Sequence, residues 1–177
     1  MELNQLYPEK KQLSLEVSDK IGSGSYGNVY KLKNSEKILK IVNVTTKKNK
    51  TIKPREIKNI FVSIYLTVKY PELRKIMPTI YSFGFITKDD KLKSFYLVMN
   101  NCGKELGDFV NKNNLSLIEI LKILLKIAKA LKMIHKRRII HRDIKGENIM
   151  VRLDSKNQVK QLFIIDFGFM GHTNISL

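Results

Sequence analysis

The sequence predicts an α+β fold of two lobes, a strand-rich first half with one main helix followed by a half led by a long helix. Three observations carry that expectation. Short apolar runs punctuated by glycine and polar turns fill the chain up to Met99, Asn100-Asn101-Cys102-Gly103 interrupts them, and an unbroken helical periodicity starts after Ser116. The expected division is residues 1–99 as the first lobe, 100–103 as a hinge and 104–177 as the second lobe.

A strand over Leu13 to Lys20 leads into Ile21-Gly22-Ser23-Gly24-Ser25-Tyr26-Gly27. A second strand, Asn28 to Lys33, then runs to the turn Asn34-Ser35-Glu36, so the two pair as a hairpin. Ile38-Leu39-Lys40-Ile41-Val42 is a third strand, apolar apart from one lysine. Pro54 suits the first turn of a helix, where its missing N–H is not needed, and Ile57, Ile60, Phe61 and Ile64 recur at helical spacing before Pro71. Two further strands, Tyr81 to Ile86 and Phe95 to Met99, flank the polar turn Lys88-Asp89-Asp90-Lys91. In the second half, Ser116 with Glu119 three residues on forms a capping-box pattern. Leu117, Ile120, Leu121, Leu124, Ile127, Leu131 and Ile134 then make one stripe opposite Lys122, Lys126, Lys129 and Lys132, too short to favour a coiled coil. His135, at the end of that stripe, is expected to be a core histidine.

Composition bounds the function. A hydrophobic fraction of 43% over 177 residues is enough to pack a core. The net charge of +17 invites a polyanion partner, yet the lysines are scattered and no stacking aromatics interleave the densest runs, Lys47-Lys48-Asn49-Lys50 and Lys136-Arg137-Arg138. Nucleic acid is therefore not the expected partner. One cysteine excludes an intramolecular disulfide and suits a reducing interior. No signal-peptide pattern starts the chain, and no apolar run approaches the roughly 20 residues of a membrane helix. A soluble, cytoplasmic protein with no membrane partner is expected.

Gly22-x-Gly24-x-x-Gly27 has a spacing shared with dinucleotide-binding folds, but there a helix follows the third glycine. Here Asn28-Val29-Tyr30-Lys31-Leu32 reads as a strand, and a glycine-rich hairpin can lie over a nucleotide because no Cβ keeps its N–H groups from phosphate oxygens. Lys40 either points to solvent or takes a partner, and Glu56 in the next helix either serves as that partner or is ordinary helix-start acidity.

His141-Arg142-Asp143-x-Lys145-x-x-Asn148 resembles the catalytic loop of eukaryotic-type protein kinases, and Asp166-Phe167-Gly168 resembles their magnesium-binding motif. The resemblance implies a protein-kinase-like two-lobed fold, ATP and magnesium as cofactors, and a protein substrate. It assigns Asp143 to the incoming hydroxyl, Lys145 to the transferred phosphate, Asn148 and Asp166 to magnesium, and Lys40 with Glu56 to the α- and β-phosphates. Lys145, two residues after the aspartate, favours Ser/Thr specificity. Met99 would stand behind the adenine, with Asn100, Asn101 and Cys102 as the hinge, and Ile21, Val29, Ile38 and Met150 would sandwich the ring. Ile38 is bulkier than the alanine common at its position. His141, Phe167 and Ile60 are implied packing residues of an internal hydrophobic column, and Cys102 is expected to be inert.

The resemblance runs from Leu13 to Gly171, and the sequence ends at Leu177, nine residues after Gly168. The helical lobe is thus expected to be incomplete, leaving an apolar patch on the long helix for a partner or self-association to cover. Thr173 and Ser176 are the hydroxyls left in the activation region. The alternative function is a kinase-like nucleotide- or protein-binding module with little peptide phosphorylation.

Overall fold

The computed structural model describes residues 16–24, 27–44, 54–88 and 91–172. The segments at 1–15, 25–26, 45–53, 89–90 and 173–177, and with them the start of the expected first strand, Ser25, Tyr26, the Lys47–Lys50 run, Thr173 and Ser176, lie outside the described residues.

Strands β1 (Val17–Gly24), β2 (Gly27–Leu32), β3 (Lys37–Asn43), β4 (Ile80–Lys88) and β5 (Lys91–Asn100) form one antiparallel sheet in the order β1-β2-β3-β5-β4. The first strand ends later than expected, running through Gly22 to Gly24, so half of the glycine segment is itself paired strand. Strand alternation sorts the side chains onto two faces. Tyr30, Leu39, Ile41, Tyr96 and Val98 pack with Leu32 in a small cluster. Register places Val29, Ile38, Lys40, Leu97 and Met99 on the opposite face.

Helix α1 (Pro54–Lys69) follows β3, as Pro54 predicts. Its buried face differs from the expected one: Ser63, Leu66 and Thr67 are buried, whereas Phe61 is 48% exposed and meets Phe83 edge to face. Ile57, Ile60 and Ile64 are half-buried. The helix is therefore turned so that its small polar residues face the protein. Thr67 Oγ1 donates to the Ser63 carbonyl at 2.9 Å, satisfying its hydroxyl inside the helix.

The second half contains β6 (Lys104–Glu105), α2 (Leu106–Lys112), α3 (Leu117–His135), β7 (Ile139–Ile140), β8 (Ile149–Leu153), β9 (Val159–Ile164) and β10 (Gly171–His172). Only α3 is expected from sequence. The strands pair in the orders β6-β8-β9 and β10-β7. Ser116 caps α3 through a reciprocal capping box with Glu119. The main core spans both halves, joining Leu66, Leu73 and Met77 to Phe109, Ile123, Ile134, Ile139, Ile164 and Phe167. A backbone bond from Ile164 N–H to the Ile76 carbonyl, 2.7 Å long, ties β9 to the first half.

For α3 one expectation is met and one, a core His135, is corrected. The expected apolar patch lies along its first two turns: Leu117 is 71% and Leu121 54% exposed, with Leu124 and Leu125 also open, and the core contacts come from Ile123, Ile127, Ala130, Leu131 and Ile134. No described element covers the start of the helix. His135 is exposed, because the last turn carries it past the core that Ile134 enters. Among the described residues, no helix is long and apolar enough to cross a membrane.

Candidate active site

The segment 141–148 is strung between β7 and β8, and its side chains hold one another. His141 is 1% exposed. Asp143 N–H donates to His141 Nδ1 at 3.3 Å, so Nδ1 is the acceptor and Nε2 carries the hydrogen given to the Ile165 carbonyl at 2.9 Å. Burial lowers the His141 pKa against the opposing pull of the Ile165 carbonyl and the Asp166 and Asp143 charges, which keeps the ring neutral at pH 7.

Asn148, also buried, donates through Nδ2 to the Asp143 carbonyl at 2.8 Å and to Asp143 Oδ2 at 2.9 Å. Lys145 Nζ stands 3.3 Å from the same Oδ2. Desolvation would raise the Asp143 pKa, but the bonds from Asn148 and Lys145 and the positive charge outweigh it and hold the carboxyl below its ordinary value. The carboxylate is ionised at neutral pH, fixed through Oδ2. Helix α2 buttresses the loop at Gly146, where a Cβ would come within 3.0 Å of Gly107 Cα.

The second motif follows β9. Ile165 N–H donates to the Asn148 carbonyl at 2.9 Å, joining the two motifs through the backbone. Asp166 adopts φ 62° and ψ 65°, a left-handed conformation uncommon for a residue with a side chain, and its Oδ1 accepts from Gly168 N–H at 3.3 Å. Phe167 is fully buried, its ring set edge-on to His141 with centroids 4.6 Å apart, as expected of packing residues. Phe167 N–H donates to Asn59 Oδ1 of α1 at 2.9 Å. The apolar pattern of α1 gives Asn59 no role; its signal in the sequence is the polar series Asn59, Ser63, Thr67 at helical spacing between apolar residues.

The other expected site residues lie on the sheet and the hinge. Gly22 pairs with Val29 and Val29 with Lys40, while Ile38 pairs with Met99, so glycine segment, lysine and apolar side chains share one face. Ile21 is exposed on β1, and Met150 is half-buried on β8. Lys40 is exposed. Glu56 lies in the first turn of α1, and its side chain is outside the described residues, as is the pairing expected of it. Gly24 ends β1 opposite Gly27.

The glycines differ in what holds them. A Cβ on Gly27 would collide with the Ile41 carbonyl, so strand packing alone demands glycine there. A Cβ on Gly22 would meet only Val29 at an ordinary 3.6 Å. At the hinge, Asn100 Oδ1 accepts from Thr79 N–H at 2.7 Å and Asn101 N–H donates to the Glu36 carbonyl at 3.2 Å. Gly103 has φ 88°, and a Cβ there would strike the Val151 carbonyl. Cys102 is buried, and that burial pushes its thiol up to about 12 against the pull of Arg152 and Asn100. The thiol is therefore inert at neutral pH, as expected.

Residues 15–176 match the family model described as protein kinase domain. The chain is 27% identical over 161 residues to the serine/threonine-protein kinase ULK3 of Xenopus laevis, covering 88% of this chain and 32% of that protein. It is 35% identical over 156 residues to calcium-dependent protein kinase 5 of Plasmodium berghei (strain Anka), covering 85% of this chain and 25% of that protein. It is 31% identical over 159 residues to the probable serine/threonine-protein kinase fnkE of Dictyostelium discoideum, covering 86% and 12%. The chain thus spans about a third or less of the length of these relatives.

Proposed function

The chain belongs to the protein kinase family, and on that premise we propose that it transfers the γ-phosphate of ATP to a serine or threonine hydroxyl of a protein. The observation that carries the proposal is the fixed group Asp143, Lys145 and Asn148, in which one carboxylate is held by an amide and an ammonium at 2.9 and 3.3 Å. Phosphoryl transfer is mainly positioning and charge neutralisation, and this group supplies both. Asp143, ionised and anchored through Oδ2, accepts the hydrogen of the incoming hydroxyl and aims its oxygen. Lys145 neutralises charge on the phosphoryl group as it moves.

Asn148 and Asp166 fit magnesium by their donor chemistry. Asn148 spends Nδ2 on Asp143, which turns its amide oxygen the other way, and Asp166 has a second carboxylate oxygen beyond the one that accepts from Gly168. Among the described residues no cluster of three or more acidic, histidine or cysteine side chains forms a protein cage. Magnesium takes one or two protein oxygens together with phosphate and water, and when bound it would neutralise the phosphate oxygens. Gly22, Gly24, Gly27, Lys40 and Glu56 would hold the phosphates; Ile21, Val29, Ile38, Met99 and Met150 would hold the adenine, with Asn100, Asn101 and Cys102 along its edge. This reading divides the chain at 100–103 and sets it in the cytoplasm.

The open face of α3 at Leu117 and Leu121 favours a second reading, a kinase-like module that binds nucleotide and docks a protein partner or second copy there but phosphorylates little. Incubation with γ-labelled ATP, magnesium and a generic basic protein separates the two. The kinase reading predicts phosphoserine or phosphothreonine that disappears in Asp143→Ala and Asp166→Ala. Nucleotide binding without transfer would establish the module, and label surviving both substitutions would contradict the proposed site.

A further inference from the structure

We infer that Asn59 is a positioning residue, a latch by which helix α1 sets the backbone of Asp166. The inference rests on the reading of Asp166 as a magnesium ligand. Asn59 Oδ1 accepts from Phe167 N–H at 2.9 Å, and Ser63 Oγ, one turn along the helix, donates to the same oxygen at 3.4 Å. Two donors on one atom fix the amide with its oxygen toward Phe167.

The peptide plane that the latch grips is the one joining Asp166 to Phe167. Holding its N–H fixes ψ of Asp166, and ψ together with the left-handed φ of 62° decides where the carboxylate points. The Phe167 ring is meanwhile pinned against His141, and the Asp166 carboxylate accepts from Gly168. Asn59 is thus the part of this arrangement contributed by a separate helix. If α1 moves away from the core, the Phe167 N–H loses its acceptor inside an apolar cluster, and the conformation of Asp166 loses its support. The bond stands beside the shared core that holds Leu66 and Phe167 and acts on the Asp166–Phe167 peptide directly.

The test compares Asn59→Ala, Asn59→Leu and Asn59→Asp in the full chain. With ¹⁵N-phenylalanine labelling, the Phe167 amide is one of eight phenylalanine signals and is assigned by its loss in Phe167→Leu. The latch predicts amide exchange at Phe167 faster by about fivefold or more in Asn59→Ala and Asn59→Leu, the loss of one ordinary hydrogen bond. Asn59→Asp, which keeps the acceptor, retains the protection. The magnesium concentration for half-maximal ATP binding rises severalfold in the alanine and leucine variants. Unchanged Phe167 exchange in both, or protection restored by leucine and not by aspartate, would overturn the latch, the second because packing would then suffice. Failure of the wild type to bind magnesium and ATP would overturn the functional premise, and it is seen separately from the exchange.

Discussion

Around Asp143, hydrogen bonds of 2.8 to 3.3 Å join His141, Asn148, Ile165 and the carboxylate itself, whereas across Val29, Ile38 and Lys40 order comes from strand register. The first region buries His141, Asn148 and Phe167; the second leaves Ile21 and Lys40 exposed. The difference teaches how labour is divided in this molecule. The groups assigned to the hydroxyl are fixed by side-chain bonds within the protein, and those assigned to the nucleotide are brought to a common face by strand register with their side chains open.

The largest expected effect breaks the preorganised side. Asp143→Ala should reduce phosphate transfer by about 10²–10⁴-fold, the usual worth of a positioned acid–base group, with ATP affinity little changed. The glycine segment gives the next contrast. Gly27→Ala should destabilise the fold by about 1–3 kcal/mol, since its Cβ meets the Ile41 backbone carbonyl and the strands must part. Gly22→Ala, with only an ordinary contact to Val29, should leave thermal stability within about 0.5 kcal/mol of wild type while weakening ATP binding. Thermal melts and nucleotide titrations on the two variants check both halves of that statement.

A smaller effect concerns acid. The pKa of His141 is lowered in the fold, so its contribution is complete above the unfolded value near 6.5 and is lost as pH falls through the lower folded value. Denaturant melts should therefore show stability falling as pH drops below about 6.5, and His141→Gln should flatten that slope. Asp143 adds its part above the ordinary carboxylate range and loses it only in stronger acid. The smallest effect is at Cys102, whose thiol should resist alkylation at pH 8 until the protein is unfolded.

Much of this division was legible in the sequence because its markers are local. Pro54 begins α1, and Ser116 with Glu119 begins α3. Asp143, Asn148 and Asp166 stand in motifs whose spacing survives translation into structure. Helix α2 was not legible: it has seven residues, includes Gly107, and Glu105 before it makes no side-chain cap. On α1 apolar periodicity selects Phe61 for the buried face, whereas the core and Phe167 N–H select Ser63, Leu66, Thr67 and Asn59. The exposed start of α3 has the same lesson in reverse, since periodicity identifies a face that seeks cover but does not supply the cover.

Hydrogen exchange of the wild-type chain with and without magnesium and ATP tests the division of labour most directly. The account predicts slow exchange at 139–149 and 162–168 in both conditions, and protection of 20–24 on the sheet-edge strand β1 that increases with the nucleotide. A catalytic segment that gains its protection only with ligand, or a glycine hairpin equally protected without it, would contradict it.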